Sequence, residues 1–254
     1  MRRLEGKVIL VAGAGGIGAG LASRYAAEGA QVVLGDINKE AADAIVAHIN
    51  QSGGEALAVQ LDGADEQSAN DAVATCVSTY GGLDGLHANF ASLADSNPEH
   101  GILELPLEIF DDVQRVNARG FYLCSRAAIP AMLKRGGGSI VYTSSAAAYG
   151  AGAGQVAYSM SKSAVHALMR HVANRFGPQG IRANTIAPAL TFAAEVEPHL
   201  PAQLIEWAKA GAAIKSRIGR PEDIAAMGAL LLSDEGGYIT GQVISVDGGT
   251  VMRA

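Results

Sequence analysis

Tyr158 and Lys162 are the residues whose types and spacing point most directly to chemistry. They stand four positions apart in a segment with a helical pattern, so both side chains are expected on one face of a helix. An ammonium group beside a phenol favours the phenolate, which should lower the pKa of Tyr158 from about 10 toward neutrality. Tyr158 could then exchange a proton with an alcohol or carbonyl oxygen. The alternative is a solvated pair on an exposed helix.

A glycine-rich segment near the N-terminus could hold a phosphate. Gly13, Gly15 and Gly18 form the pattern G-x-G-x-x-G between a predicted strand and a predicted helix. The first glycine permits a tight turn, the second lets backbone approach a pyrophosphate, and the third lets helix and strand pack closely. Because the helix N-terminus also faces the anion, this segment predicts a dinucleotide site.

Two aspartates at predicted strand ends extend this site. Asp36 lies about 20 residues beyond the glycines, where a carboxylate can accept hydrogen bonds from the adenosine ribose. Its charge would repel a 2′-phosphate and neither Gly35 nor Ile37 supplies a cation, which favours NAD over NADP. Asp62 ends the third strand and could reach the adenine amino group. The alternatives are a capping or turn role for Asp36 and a turn carboxylate for Asp62.

The elements that position these residues follow from hydrophobic periodicity. Short apolar runs rich in β-branched residues alternate with helical segments, as a parallel sheet with crossover helices requires. In the helix after the second strand, Ala41, Ile45 and Ile49 are expected to share one face, and Gly53 and Gly54 to end the helix. The predicted strands are Lys7–Ala12, Gln31–Asp36, Glu55–Leu61, Asp84–Ala88, Gly138–Thr143, Arg182–Ala187 and Gln242–Val246.

Composition bounds the class of protein. The 254 residues, 49% of them hydrophobic, can bury one substantial core, and a net charge of −6 without a basic run disfavours nucleic acid and anionic membranes as partners. The chain has only two cysteines and its first residues do not resemble a signal sequence, which favours the cytoplasm. The sequence contains no cluster of cysteines and histidines that would suggest a metal site. We expect one α/β domain over residues 1–254, with a flap of loop and helix at about 190–217 that breaks the alternation.

Further motifs make the pattern specific. Ser145 stands thirteen residues before Tyr158, with Ser144 as its neighbour, and Asn117 lies in the predicted helix before the fifth strand. The segments HANFAS, NTIAPA and GQVISVDGG follow or contain the fourth, sixth and seventh strands. Over nearly its whole length the chain resembles the short-chain dehydrogenases and reductases, in the branch with chains of about this size.

The resemblance implies a Rossmann fold, a doubly wound seven-stranded parallel sheet with helices on both faces, and a catalytic tetrad. Tyr158 would remove the hydroxyl proton while hydride moves to the nicotinamide, and Ser145 would hydrogen-bond the substrate oxygen. Lys162 would lower the pKa of Tyr158 and bind the nicotinamide ribose, and Asn117 would help to hold a water for proton relay. It also implies a homotetramer that pairs the helices within 111–133 and 157–176 and packs the C-terminal strands.

The cofactor contacts implied by the resemblance lie at the ends of the strands. They are Gly13, Gly15, Gly16, Ile17, Gly18, Asp36, Ile37, Asp62, Gly63, Asn89, Phe90, Ala91, Tyr158, Lys162, Pro188 and Ala189.

The chain departs from the family pattern at three places. The glycine loop is one residue shorter than usual and has Ala12 in place of threonine, which bears on cofactor affinity. Phe90 replaces a small residue, and either tightens the cofactor pocket or fills the space vacated by the shorter loop. Pro188 is followed by Ala189 where glycine is usual, and Thr191 lies too close to the proline to be assigned to the carboxamide.

Candidate substrate contacts are mostly apolar or aromatic, which suits a small neutral secondary alcohol or ketone. One alternative is a 3-oxoacyl thioester reductase, disfavoured because Gln179 stands where a basic docking residue is expected. The other is a redox-inactive dinucleotide sensor or scaffold, disfavoured because the tetrad is intact. Beside Ser145, the candidate contacts are Leu93, Tyr149, Gln155, Phe192 and Trp207.

Overall fold

The computed structural model describes residues 2–97, 101–150 and 155–252. Seven strands form one parallel sheet: β1 (Val8–Ala12), β2 (Gln31–Asp36), β3 (Glu55–Gln60), β4 (Gly85–Ala88), β5 (Gly138–Thr143), β6 (Ile181–Pro188) and β7 (Val243–Val246). Their order is β3-β2-β1-β4-β5-β6-β7, and every neighbouring pair is parallel. All seven predicted strands are confirmed, with ends that differ by no more than one residue.

Eight α-helices connect the strands in the described ranges: α1 (Gly16–Ala27), α2 (Lys39–Gln51), α3 (Glu66–Tyr80), α4 (Leu107–Val113), α5 (Gly120–Lys134), α6 (Val156–Phe176), α7 (Ala202–Gly211) and α8 (Pro221–Leu232). A π-helical turn, Gln114–Arg119, joins α4 to α5. The region predicted as a flap contains a short 3₁₀ turn, Glu197–His199, and α7. None of the described helices is long and apolar enough to cross a membrane.

Two hydrophobic clusters show that helices cover both faces of the sheet. Successive residues of β1 alternate between them, because side chains along a strand point to opposite faces. Val8 and Leu10 pack with residues of α3, α5 and α6, whereas Ile9 and Val11 pack with residues of α1, α2 and α8. This arrangement confirms the doubly wound sheet.

The predicted buried face of α2 is wrong at one residue. Ala41 is exposed and Ile45 is only half-buried, whereas Ala42, Val46 and Ile49 face the core. Positions 41, 45 and 49 drift around the helix because 3.6 residues make one turn, and the spacing 42, 46, 49 follows one stripe more closely. The end of the helix is as predicted: α2 stops at Gln51, and Gly53 follows with a φ of 83°.

Candidate active site

The carboxyl ends of the strands bring the predicted site residues to one edge of the sheet. The strand order reverses direction between β1 and β4, and open α/β sheets bind ligands at such a point. Gly13, Asp62, Asn89, Ser144 and Ala189 each follow within two residues of a different strand, and Asp36 is the last residue of β2.

The glycine loop has the geometry that its spacing predicts. Gly13 has a φ of 103° and its N–H donates to the carbonyl of Gly35 at 2.7 Å, which makes the turn. A Cβ at Gly18 would overlap the carbonyl oxygen of Gly13, so only glycine lets the helix approach the loop. Cβ atoms at Gly15 and Gly16 would meet nothing within 4 Å. The start of α1 is therefore open to an anion, and its contact with a dinucleotide stays a prediction.

Asp36 hydrogen-bonds the main chain of the glycine loop, at the position where a ribose contact is predicted. One carboxylate oxygen accepts from the N–H of Ala14 at 2.7 Å, and the other accepts from the N–H of Asn38 at 2.8 Å. The turn role considered for this aspartate is therefore present. It does not exclude the predicted ribose contact, since each oxygen has a second lone pair. Ile37, next in the chain, is 66% exposed and leaves this side of the site open.

Asp62 also has the turn role that was considered as the alternative to a contact with adenine. Its Oδ1 accepts from the N–H of Ala64 at 2.9 Å, and the hydroxyl of Ser68 accepts from its N–H at 3.0 Å. These bonds shape the turn that leads from β3 into α3. The predicted contact with adenine stays a prediction.

The Phe90 ring packs into the protein beside Asp62. It meets the Phe121 ring edge to face, with centroids 4.9 Å apart, and it lies against the Cα positions of Gly63 and Gly120, where a Cβ would collide with it. The Phe90 atoms nearest to the Cβ position of Gly13 are N, Cα and Cβ. Gly63 and Gly120 make room for the ring, and both roles considered for Phe90 stay predictions.

Ser145, Tyr158 and Lys162 lie near one another, as the spacing of Tyr158 and Lys162 and the family resemblance of Ser145 predict. The Ser145 side chain lies close enough to the Tyr158 hydroxyl to lower the pKa of that phenol. The Nζ atom of Lys162 lies 5.7 Å from the centre of the Tyr158 ring and donates to the carbonyl of Thr143 at 2.9 Å. Ser144 points elsewhere, since its hydroxyl contacts the carbonyl of Lys162 and the Nε2 atom of His166. The structure thus separates the two serines.

The expected direction of the Tyr158 pKa is wrong for the protein alone. Burial raises this pKa above its ordinary value, and the nearby Ser145 side chain opposes that shift only in part. Burial also lowers the pKa of Lys162 to about 7, which weakens the ammonium charge that was expected to act on the phenol. Desolvation, which depends on the folded surroundings, outweighs the neighbouring charge here.

Asn117 is fully buried in the π-helical turn and braces the segment after β4. Its Oδ1 accepts from the N–H of Ser92 at 2.7 Å, and its Nδ2 donates to the carbonyl of Ser92 at 3.2 Å and to the hydroxyl of Ser161 at 3.1 Å. π-helical turns are frequent at functional sites. The side chain thus links the loop beyond Asn89 to the helix that carries Tyr158.

Asp95, a residue that sequence patterns did not single out, caps the helix that carries Tyr158. Gln155 at the helix start makes no side-chain cap and has a φ of 67°, the one positive φ among the described residues other than glycine. The buried carboxylate of Asp95 accepts from the N–H groups of Ala157 at 2.8 Å and Tyr158 at 3.3 Å. A cap from a residue 62 positions away leaves no local sequence signal.

Replacement of Asp95 by alanine should lower the free energy of unfolding by about 1–3 kcal/mol, because two buried N–H groups lose their acceptor. Asp95→Asn, which keeps one acceptor oxygen, should lose less. Urea unfolding of both variants measures this difference. Asp71→Asn, on the exposed face of α3, is the control; equal stability of Asp95→Ala and the wild type would refute the capping role.

The remaining predicted substrate contacts differ in exposure. Leu93 and Trp207 are 58% and 71% exposed, whereas Gln155 and Phe192 are half-buried. The Tyr149 ring lies 5.2 Å from that of His166 and lines a groove along the outer side of α6. Their contact with a substrate stays a prediction, as do cofactor contacts of Ile17, Ala91, Pro188 and Ala189.

Within the described ranges, no group of three or more histidine, cysteine and acidic side chains could hold a metal ion. Cys76 and Cys124 are buried free thiols, and burial raises the pKa of each to about 12. Neither thiol is therefore a candidate nucleophile.

Comparisons with known proteins show which family this chain resembles. The sequence model of the family described as enoyl-(acyl carrier protein) reductase matches residues 11–251. A 2,5-dichloro-2,5-cyclohexadiene-1,4-diol dehydrogenase of Sphingobium indicum is 39% identical over 251 residues, 97% of each chain. A probable short-chain type dehydrogenase/reductase of Bradyrhizobium diazoefficiens is 40% identical over 250 residues, which cover 98% of this chain and 89% of that one. An L-rhamnose 1-dehydrogenase (NAD(P)(+)) of Sphingomonas is 37% identical over 98% of each chain.

Proposed function

Since the chain belongs to the short-chain dehydrogenase/reductase family of oxidoreductases, we propose that it interconverts a small neutral secondary alcohol and its ketone with NAD as the cofactor. The observation that carries this proposal is the grouping of Ser145 and Lys162 around Tyr158, with Lys162 buried and its Nζ atom 5.7 Å from the centre of the Tyr158 ring. These three side chains stand at the same edge of the sheet as the glycine loop.

The residues at this edge fit a dinucleotide. The start of α1 is open at Gly15 and Gly16, and the α1 N-terminus would face a pyrophosphate. Asp36 would accept hydrogen bonds from the adenosine ribose, and Lys162 would donate to the nicotinamide ribose. When bound, the nicotinamide supplies the position that accepts or donates the hydride.

The side chains would handle the proton. Ser145 would donate a hydrogen bond to the substrate oxygen, which holds that oxygen beside the Tyr158 hydroxyl. Tyr158, as phenolate, would take the hydroxyl proton during oxidation and return it to the carbonyl oxygen during reduction. Because burial disfavours the phenolate, a positive charge close to Tyr158 is needed to form it, and Lys162, when protonated, would supply that charge.

The substrate class is supported by the character of the surroundings and by the relatives. Leu93 and Trp207 offer exposed apolar surface rather than charge. The names of two relatives specify a cyclohexadiene diol and L-rhamnose, both neutral ring compounds that carry hydroxyl groups. We therefore extend the proposal to neutral ring alcohols.

The substrate class is tested by following the absorbance of NADH with a panel of cyclic secondary alcohols, cyclic diols and aldoses in the presence of NAD. A 3-oxoacyl thioester is assayed in the reductive direction. Turnover of at least one ring alcohol with slow or no thioester reduction supports the proposal. Preferred reduction of the thioester would replace it with the alternative of a 3-oxoacyl thioester reductase, even though Gln179 is exposed where a basic residue was expected.

Cofactor preference gives a separate prediction. The wild type should bind NADH about 100-fold more tightly than NADPH, because the carboxylate of Asp36 would face the 2′-phosphate. Asp36→Asn removes the charge and should lower that ratio by about tenfold or more, whereas Asp71→Asn on exposed α3 should leave it unchanged. Fluorescence titration with both reduced cofactors gives the ratios. A ratio unaffected by Asp36→Asn would show that another residue reads the ribose.

A further inference from the structure

His87 lies in the middle of a buried chain of hydrogen bonds that crosses the sheet. Its Nδ1 atom is 2.6 Å from the hydroxyl of Tyr25 on α1, and its Nε2 atom is 3.0 Å from the hydroxyl of Thr143 at the end of β5. The Thr143 hydroxyl is 2.9 Å from Oδ1 of Asn89, and Nδ2 of Asn89 is 3.4 Å from the carbonyl oxygen of Gly13. The chain therefore runs from the α1 layer to the glycine loop.

The end of this chain at Gly13 determines the position of every proton. A carbonyl oxygen only accepts, so Asn89 must donate its Nδ2–H to Gly13 and present Oδ1 to Thr143. Thr143 then donates its hydroxyl proton to Asn89 and must accept from His87. It follows that His87 is the neutral tautomer with a proton on Nε2, and that Nδ1 accepts from Tyr25.

The surroundings keep His87 in that state. Tyr25 and His87 are fully buried, and burial lowers the pKa of the imidazole to about 3. Gly228 on α8 makes room for the chain, because a Cβ at that position would overlap the Tyr25 hydroxyl. Bonds that all donate in one direction strengthen one another in a low-dielectric interior.

The far end of the chain meets both parts of the site. Asn89 contacts the first glycine of the loop, and the main-chain carbonyl of Thr143 accepts a hydrogen bond from the Nζ atom of Lys162. The Thr143 hydroxyl thus accepts a hydrogen bond from His87, and the Thr143 main-chain carbonyl accepts one from Lys162. Without the Nε2–H donor, the Thr143 hydroxyl loses the bond that orients it toward Asn89.

We propose that His87 is a positioning residue for dinucleotide binding, which acts through Thr143 and Asn89 on the glycine loop. The inference rests on the proposed function, since it takes the glycine loop as the cofactor site. His87 touches neither cofactor nor substrate in this scheme. Its role is to donate a hydrogen bond from Nε2 to the Thr143 hydroxyl.

Two substitutions separate this role from packing. His87→Gln can place an amide N–H where Nε2 lies, whereas His87→Asn places its polar atoms near Nδ1 and cannot reach Thr143. Both remove the ring and both retain a polar amide. We expect His87→Gln to bind NADH within about threefold of the wild type and His87→Asn to bind about tenfold more weakly, as loss of one oriented hydrogen bond implies.

A second pair covers the case in which both His87 variants fail to fold. Thr143→Ser keeps the hydroxyl and should retain affinity, whereas Thr143→Val keeps the shape and should lose about tenfold. If His87→Asn folds, its combination with Thr143→Val should cost no more than either alone, because both break the same link. Tyr25→Phe breaks only the distant bond and should leave NADH affinity near that of the wild type.

The outcomes distinguish the two levels of the proposal. Wild-type protein that binds no NADH would contradict the proposed function itself. The role of His87 would be overturned if the wild type binds NADH and the two variants of a pair bind it equally well. The pairs are His87→Gln with His87→Asn, and Thr143→Ser with Thr143→Val. The proposed function would still stand in that case.

Discussion

We expect Tyr158→Phe to lower kcat by about 10³-fold and to leave NADH binding within about twofold of the wild type. General acid–base catalysis commonly contributes a factor of about 10²–10⁴, and this substitution removes the reacting hydroxyl while it keeps the ring. The hydroxyl that is lost is the one that Ser145 contacts. The measurement is steady-state turnover of whichever ring alcohol proves active, together with an NADH titration.

Tyr238→Phe is the matched control, because Tyr238 is fully exposed and the substitution again removes one phenolic hydroxyl. It should keep wild-type turnover. A Tyr158→Phe enzyme that retained more than about a third of wild-type kcat would show that another group moves the proton.

Lys162→Met is expected to lower kcat by about 10²-fold or more and to change how stability depends on pH. The loss of turnover follows because Lys162, when protonated, is the buried side chain of the described site that would place a positive charge near Tyr158 to favour the phenolate. The change in stability follows because burial lowers the pKa of Lys162 from 10.5 to about 7.

The sign of the pH effect can be worked out. Between about pH 7 and pH 10.5 the unfolded chain binds a proton at this lysine that the folded protein does not. The contribution of Lys162 to the free energy of unfolding therefore rises with pH across this window and is lost as pH falls through it. Tyr158, whose pKa is raised by burial, acts in the opposite direction only above about pH 10, where the unfolded tyrosine ionises.

Urea midpoints at about pH 7 and about pH 9.5 measure this dependence. The wild type should gain stability relative to Lys162→Met as pH rises. Lys134→Met, which changes an exposed lysine at the end of α5, should keep the wild-type slope. Parallel curves for the wild type and Lys162→Met would mean that Lys162 is protonated in the folded protein throughout this range.

Local patterns account for the parts of the structure that the sequence predicted. β1 and β2 are short apolar runs bounded by glycine or aspartate, and their ends needed no knowledge of distant residues. The turn at Gly13 and the close approach at Gly18 follow from glycine spacing alone. The spacing of Tyr158 and Lys162 likewise placed them on one helix.

Features that depend on distant contacts were not predictable in this way. The cap from Asp95 and the hydrogen bonds of His87 join residues tens of positions apart. The π-helical turn around Asn117 shows no break in helical period. The pKa of Tyr158 was predicted in the wrong direction because the degree of burial is a property of the packed protein, and the Phe90 ring could be placed only once Gly63 and Gly120 were seen beside it.

The most direct test of the central claim is a fluorescence titration of the wild-type protein with NADH and then with NADPH. The proposed site predicts a Kd for NADH in the micromolar range and a Kd for NADPH about 100-fold higher. That result would show that the shortened glycine loop binds a pyrophosphate and that a charge at the ribose disfavours NADPH. No binding of either cofactor would contradict the proposed function and favour a scaffold on the same fold.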